Sequence, residues 1–193
     1  MQGISEVLRL IAVLEKVEGR KKLQKIVHIL KSQGYEFPQH FGYLHYGPFS
    51  AEVAADVDTL VTHNLVDEQG GAGPRGAYIY TPTDKGLQFL KDIGLGPRNW
   101  SSLATKLNKI NVSQLEAMST ILFLRNNGFS GESLKQRFSE LKPKLKNEYP
   151  NASLAIRKLE RGSGPHRPAA NPASAQPTYL LRRVNVKPSR KHH

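Results

Sequence analysis

Apolar residues that recur at helical spacing are the feature that most constrains the fold of this chain. Three successive stretches near its start each place their apolar residues on one face of an α-helix. Gly19 and Gly34 are expected to end the first two helices, and Ser50 is expected to cap the third. The predicted inward positions are Ile4, Val7, Leu8, Ile11, Leu14 and Val17; Leu23, Ile26, Val27 and Leu30; and Val53, Val57, Leu60, Val61 and Leu65.

A glycine-rich loop between two apolar segments predicts a β-hairpin after the third helix. Residues 66–69 and 77–80 flank this loop at residues 70–76, which is longer than a tight two-residue turn. Thr83 then caps a fourth helix. The apolar positions of that helix are Leu87, Leu90 and Ile93. Because three helices, a hairpin and a further helix are the order of a winged helix-turn-helix, we predict such a domain over residues 1–95 in a mainly α fold.

Aromatic residues concentrate between the second and third helices. Residues 35–49 hold six of the chain's fourteen Tyr and Phe residues. We interpret them as a packed connector with a short strand at residues 41–44, in which Gly47 permits a turn and Pro48 precedes the cap.

The net charge is confined to the second half of the chain. There are 28 Lys and Arg residues against 16 Asp and Glu residues, which gives a net charge of +12. Residues 1–100 contain 11 basic and 11 acidic side chains, whereas residues 101–193 contain 17 and 5. Such an excess usually meets phosphate or an acidic protein surface. The simpler alternative is solubility together with a basic tail and solvated helix faces.

A second helical region is predicted after a boundary at residues 94–99, which contain glycine and proline. Ser113 and Glu116 have the spacing of a capping box that would open one of its helices. We describe residues 100–161 as a basic helical extension. The sequence leaves open whether this extension is a separate domain.

The later part of this region has further helix signals. Ser130 is predicted to start a helix that Pro143 ends or kinks. Asn151 is predicted to cap a last short helix that reaches Arg161.

A basic tail at residues 162–193 contains five prolines and no acidic residue. This composition predicts disorder in the free chain. The segment 178–186 is more apolar and β-branched than the rest, so we expect it to dock as a strand on a partner. The partner-binding candidates in this segment are Tyr179, Leu180 and Leu181.

Three stretches carry a resemblance to a known family. They are KLQKIVHIL at residues 22–30, YLHYGPFSAEVAADVDTLVTHNLV at residues 43–66 and YTPTDKGLQFL at residues 80–90. Together they resemble the YwgA-like family of small bacterial and archaeal proteins, which are generally described as winged-helix transcriptional regulators. A looser similarity is to the Panacea antitoxin domain, in which a K-L-Q-K-L-type helix and a Y-G-P turn recur. The resemblance covers residues 5–95 and implies a winged-helix fold with a regulatory or toxin-neutralising role.

The predicted third helix, residues 51–64, is a poor reader of DNA. It contains Glu52, Asp56 and Asp58 and no Lys or Arg. Phosphate contact supplies most non-specific affinity, so an acidic helix opposes the usual docking of this element in the major groove. Glu52, Asp56 and Thr59 share one outward stripe, and we predict that this stripe contacts a protein partner.

Nucleic-acid contacts are therefore expected from other basic residues. The second helix carries four candidates, the hairpin loop carries one, and the remainder lie beyond residue 140. The predicted contact residues are Arg20, Lys21, Lys22, Lys25, Arg75, Lys142, Lys144, Lys146, Arg182, Arg183, Lys187, Arg190 and Lys191.

No constellation of residues predicts an enzyme. The chain has no cysteine, its histidines form neither an H-x-x-x-H nor an H-E-x-x-H pattern, and no G-x-S-x-G motif occurs. We read His28 as a histidine at the edge of the core. We expect no catalytic residue, metal or cofactor. There is also no apolar run long enough to span a membrane, and a cytoplasmic protein fits this sequence best.

Three hypotheses of function follow from these features. The first is a non-enzymatic winged-helix regulator, with homodimers possible, that binds DNA or RNA mainly through its basic second half. The second is a protein-binding module of the antitoxin or adaptor type, as in toxin–antitoxin or phage-defence systems. The third is an accessory protein of a ribonucleoprotein.

Overall fold

The computed structural model describes residues 2–71 and 76–162. Within these residues the fold is mainly helical, with eight α-helices, one 3-10 helix and two small antiparallel sheets. The helices are α1 (Gln2–Leu14), α2 (Arg20–Ser32), α3 (Ala51–Thr62), α4 (Asp84–Asp92), α5 (Ser101–Asn108), α6 (Val112–Asn126), α7 (Gly131–Leu141) and α8 (Tyr149–Gly162), and the 3-10 helix is Pro143–Glu148. The strands are β1 (Val17–Glu18), β2 (Gly42–Leu44), β3 (Gly47–Phe49), β4 (Val66–Gly70) and β5 (Tyr78–Pro82).

The larger sheet contains the hairpin that the sequence predicts. Its strand order is β1–β5–β4, so the short strand before α2 pairs with the second strand of the hairpin. Tyr80 lies opposite Val17 on one side and Glu68 on the other. The smaller sheet is the hairpin β2–β3, in which Tyr43 lies opposite Pro48. The strand predicted at residues 41–44 is therefore present as β2.

The N-terminal caps of α3 and α4 are the predicted residues, Ser50 and Thr83. The Ser50 Oγ accepts a hydrogen bond from the Val53 amide at 3.2 Å, and the Thr83 Oγ1 accepts one from the Gly86 amide at 3.0 Å. Gly86 packs so closely on the preceding loop that a Cβ there would lie 2.1 Å from the Leu65 carbonyl oxygen. The T-P-T-x-x-G pattern thus ends a strand, caps a helix and lets α4 approach the chain before β4.

One continuous hydrophobic core joins the two halves of the described chain. α5 packs on α1 and α2, and α6 packs on α2 and α8. Trp100, which follows the predicted boundary, is buried and its ring centroid lies 5.7 Å from that of Phe37. Residues 94–99 therefore connect elements that share a core.

Two predicted helix starts are wrong. The cap of α6 is Asn111, whose side-chain oxygen accepts from the Gln114 amide at 2.8 Å, so Ser113 and Glu116 form no capping box. Asn151 lies inside α8, which begins at Tyr149 directly after the 3-10 helix. Asn111 lies two residues before Ser113 and offers the same kind of side-chain acceptor, whereas α8 continues directly from the 3-10 helix.

Other predictions in this region are confirmed. Ser130 caps α7 in a capping box with Ser133, and α7 ends at Leu141 before Pro143.

The predicted apolar positions of α4 differ in their burial. Leu90 is buried, whereas Leu87 and Ile93 are 38% and 44% exposed.

The predicted tail at residues 162–193 and its docking strand lie outside the described residues, apart from Gly162 at the end of α8. None of the helices in the described part of the chain combines the length and the apolar character that a membrane span needs.

Candidate functional site: a cleft beside a buried lysine cluster

Three lysines and one glutamate, which we call the lysine cluster, meet where α2, α6 and the β2–β3 hairpin pack together. The Glu116 carboxylate accepts from the Lys142 Nζ at 2.6 Å and from the Lys21 Nζ at 3.2 Å. The Lys142 Nζ also donates to the His45 carbonyl at 3.1 Å, and the Lys25 Nζ donates to the Pro48 carbonyl at 2.5 Å. Two of the three amines thus bond the single carboxylate, and the third, that of Lys25, bonds a backbone carbonyl.

Burial governs the protonation of this cluster. Lys25 is 2% exposed, and removal of its ammonium from water lowers its pKa to about 7. The charges of Lys142 and Lys21 lower it further, while that of Glu116 opposes the shift. Burial by itself would raise the pKa of Glu116, but the hydrogen bonds and charges of Lys142 and Lys21 lower it overall. The carboxylate is therefore the stable anion of the cluster.

The K-L-Q-K stretch of α2 holds the chain that leads into α3. The Gln24 side-chain amide donates to the Ser50 carbonyl at 2.8 Å and accepts from the Ser50 amide at 3.0 Å. One residue further on, Lys25 binds the Pro48 carbonyl as described above. These buried side chains bond the backbone of residues 48–50 directly before α3, so the K-L-Q-K stretch and the Y-G-P turn form one structural unit.

Gly47 is required by this unit for two reasons. Its φ of +87° lies in the left-handed region, and a Cβ there would lie 3.1 Å from the Thr120 Oγ1 and 3.6 Å from the Lys142 Nζ. We expect Gly47→Ala to lower the free energy of unfolding by about 2 kcal/mol, because alanine is strained at this φ and crowds the cluster. Urea denaturation followed by circular dichroism would measure the change. Gly42→Ala in the paired strand is the control, since its Cβ would meet no atom within 4 Å, and an equal loss in both variants would contradict the argument.

A cleft of about 380 Å³ opens beside the lysine cluster. Its walls come from the first turns of α2, from α3, from the β2–β3 hairpin and from Tyr80 of β5. Most of the lining is aliphatic or aromatic, and Leu44 and Tyr46 of the hairpin are 56% and 62% exposed. A volume of this size lies at the lower end of the range for sites that bind small molecules.

In the described part of the chain, the cationic groups that line the cleft come from α2. The Arg20 Nε donates to the Tyr80 hydroxyl at 2.8 Å, and its Nη2 donates to Glu68 at 3.0 Å. Its guanidinium also lies 4.0 Å from the centre of the Tyr78 ring. Lys21 lies 4.3 Å from the centre of the Tyr46 ring while it contacts Glu116.

The predicted nucleic-acid-binding residues differ in whether the structure leaves their charged groups exposed. Lys25 and Lys142 are buried and bonded to backbone carbonyls, so neither presents its amine to phosphate, and we withdraw both from that role. Arg20 and Lys21 are held by carboxylates and rings, and Lys22 is half-buried beside them. Lys144 and Lys146 are exposed on the 3-10 helix. The candidates outside the described residues are Arg75, Arg182, Arg183, Lys187, Arg190 and Lys191.

The predicted partner stripe on α3 is only partly exposed. Glu52 and Thr59 are exposed, but Glu52 accepts hydrogen bonds from the backbone amide and the ring of His40 at 2.7 and 3.0 Å. These bonds from His40 lower the pKa of Glu52. Asp56 is half-buried and accepts from the Gln39 side chain at 2.9 Å. Glu52 and Asp56 thus bind residues 39–40 of the connector and hold it against α3. Tyr179, Leu180 and Leu181 lie outside the described residues.

His28, which the sequence predicts at the edge of the core, lies within the core. It is buried, its Nδ1 lies 3.0 Å from the Ser119 Oγ, and its ring packs edge-on against Phe41. Within residues 2–71 and 76–162 there is no group of three or more His, Asp or Glu side chains placed to hold a metal ion.

Sequence reasoning missed the role of Glu116 and the existence of the cleft. The cleft needs side chains from four elements that are distant in sequence. Glu116 lies between Leu115 and Ala117 in a helix whose residues 115–122 are all buried. A single acidic residue between apolar neighbours was the sequence signal that could have indicated a buried charge.

Comparison with known proteins shows a related chain from Bacillus subtilis. No family model matches the sequence, and no solved structure matches it. The chain is similar to the "Uncharacterized protein YwgA" of Bacillus subtilis (strain 168), with 29% identity over 150 residues, which cover 74% of this chain and 87% of that protein. The similarity therefore extends beyond residues 1–95 into the second half of the chain, and it supports a relationship to a YwgA-like family.

Proposed function

We propose that this chain is a non-enzymatic winged-helix protein that binds nucleic acid through the basic residues of its second half. The support for the winged-helix part is the element order α1, β1, α2, α3, β4, β5 with the edge pairing of β1 to β5. In this fold the hairpin β4–β5 is the wing, and the β2–β3 hairpin is an addition between α2 and α3.

The exposed cations around the 3-10 helix are the observation that carries the nucleic-acid part of the proposal. Lys144 and Lys146 on the 3-10 helix and Arg157 and Lys158 on α8 are exposed. The 3-10 helix packs directly against α8, and these four side chains make no ion pair within the described chain. Free cations on adjacent elements are what phosphate contacts require.

The charge of the third helix, α3, argues against nucleic-acid contact on that helix and therefore favours the surface of the 3-10 helix and α8. α3 exposes Glu52, Asp58 and Thr59 and has no cation. On α2, Lys25 is buried, Arg20 and Lys21 are bound to carboxylates, and Lys22 is half-buried. A nucleic acid docked on α3 in the usual way would meet negative charge. We therefore place the contact surface on the 3-10 helix and α8.

Removing two of these charges tests the proposal. We expect Lys144→Gln with Lys146→Gln to weaken binding of random duplex DNA and single-stranded RNA alike, and to reduce the slope of log K against log salt by about 2. Fluorescence anisotropy of the full-length protein at several salt concentrations measures this slope. Lys85→Gln with Lys91→Gln on α4 is the charge-matched control and should leave the slope nearly unchanged. If the wild-type protein shows no affinity at low salt, or if both double variants behave alike, the proposal fails.

A protein-binding role of the adaptor or antitoxin type is the second candidate. It is favoured by the exposed apolar side chains Leu44 and Tyr46 on the β2–β3 hairpin and Phe89 on α4. Affinity capture with wild-type protein and with a Leu44→Ser, Tyr46→Ser variant would test it. A specific protein that is retained by the wild type and lost with this variant would favour this role over nucleic-acid binding.

A further inference from the structure

We propose that the cleft between α2, α3 and the β2–β3 hairpin binds a small carboxylate with an apolar tail. This site is separate from the proposed nucleic-acid surface, because it is built from α2, α3, β5 and the hairpin rather than from the 3-10 helix and α8. The two proposals can therefore fail independently.

The apolar part of the ligand is defined by the walls of the cleft. Leu23, Val53 and Val57 are buried side chains that line it, and Phe49 and the Tyr80 ring complete the lining. Leu44 and Tyr46 stand exposed at the hairpin and would lose water contact when a ligand fills the space. Burial of apolar surface on both partners supplies the affinity for the tail.

Basic side chains of α2 favour a negatively charged group on the ligand. Arg20 and Lys21 line the cleft, and their side chains remain 55% and 37% exposed. Lys25 also lines it, but its amine is bonded to the Pro48 carbonyl. The bonds of Arg20 to Tyr80 and Glu68 use its Nε and Nη2, which leaves the N–H groups of Nη1 as donors for a carboxylate.

The opposite wall sets the orientation of the ligand. Asp58 on α3 is the only carboxylate among the residues that line the cleft in the described chain. It repels an anion from α3 and leaves the α2 side as the favourable place for the carboxylate. The lysine cluster adds to this preference, since it contains three lysines and only one glutamate.

Octanoate is the probe for the first experiment, with octylammonium as its cationic counterpart. We expect octanoate to shift the amide resonances of residues that line the cleft in ¹H–¹⁵N spectra of the full-length protein, and octylammonium to bind at least about fivefold more weakly. The proposal is overturned if octanoate shifts no resonance of the cleft, or if the two probes bind equally.

Neighbouring residues provide matched variants. Ala54 lines the cleft, whereas Ala55 is exposed on the same helix outside it. Ala54→Leu should reduce octanoate affinity at least about tenfold by filling the space, and Ala55→Leu should not change it. Likewise, Lys21→Gln should weaken octanoate about five- to tenfold through loss of a charged hydrogen-bond donor, and Lys22→Gln should have less than a twofold effect. Equal effects within either pair would refute the site, and circular dichroism of each variant verifies that it is folded.

Discussion

Glu116→Ala is expected to lower the free energy of unfolding by about 3–5 kcal/mol. The substitution removes the carboxylate that lies 2.6 Å from the Lys142 Nζ, and the side chain of Lys142 is only 6% exposed. The ammonium would then keep the His45 carbonyl as its remaining hydrogen-bond partner and would be buried without a counter-charge. Urea denaturation of the full-length protein, followed by circular dichroism, measures the loss.

Two further variants separate the charge effect from a general effect of the substitution. Glu140→Ala removes a carboxylate that is half-exposed and bonded to Arg137, so its effect on the free energy of unfolding should be much smaller than that of Glu116→Ala. Glu116→Ala combined with Lys142→Met removes both charges and should recover part of the loss. Equal losses for Glu116→Ala and Glu140→Ala, or no recovery in the double variant, would contradict a buried ion pair as the cause.

The lysine cluster also determines where the cleft lies. Lys142 and Lys25 bind the His45 and Pro48 carbonyls on either side of Gly47, which fixes the β2–β3 hairpin against α2 and α6. That hairpin carries Leu44 and Tyr46, which line the cleft. A cluster that spans both halves of the chain thus positions one wall of the proposed ligand site.

The periodic parts of the fold could be predicted because local rules decide them. Apolar spacing identified α1 to α3, and the hydroxyls of Ser50 and Thr83 marked the starts of α3 and α4, since each needs only a short window of sequence. Hairpin β4–β5 followed from a glycine-rich loop between two apolar segments. These features required no knowledge of what packs against them.

The site could not be predicted because it depends on packing between distant segments. Lys142 lies 26 residues from Glu116 and 97 residues from His45 along the chain, yet it contacts both. Lys142, Lys144 and Lys146 occupy alternate positions in the sequence, so the sequence pattern assigns the same role to all three. In the structure only Lys142 is buried, whereas Lys144 and Lys146 are exposed. Burial of a single lysine in such a run is decided by the tertiary fold, which local patterns do not contain.

Acid sensitivity is expected from His28. The ring is buried, which lowers its pKa from 6.5 to about 3, and the charges of Lys25 and Lys31 act in the same direction. As the pH falls below 6.5, the unfolded chain takes up a proton on this residue and the folded chain does not. The free energy of unfolding should therefore fall by roughly 4 kcal/mol between pH 6.5 and pH 3 through His28 alone.

A comparison of two histidine variants isolates this contribution. His28→Gln keeps a polar partner for the Ser119 hydroxyl but cannot be protonated, so its free energy of unfolding should decrease less steeply over this pH range than that of the wild type. His63→Gln replaces an exposed histidine next to α3 and should keep the wild-type slope. Carboxylates whose pKa values are lowered in the fold, including Glu116, contribute equally to all three proteins and cancel in the comparison. A slope in His28→Gln equal to that of the wild type would show that His28 takes up its proton without unfolding, and the core around Phe41 would then have to admit a charged ring.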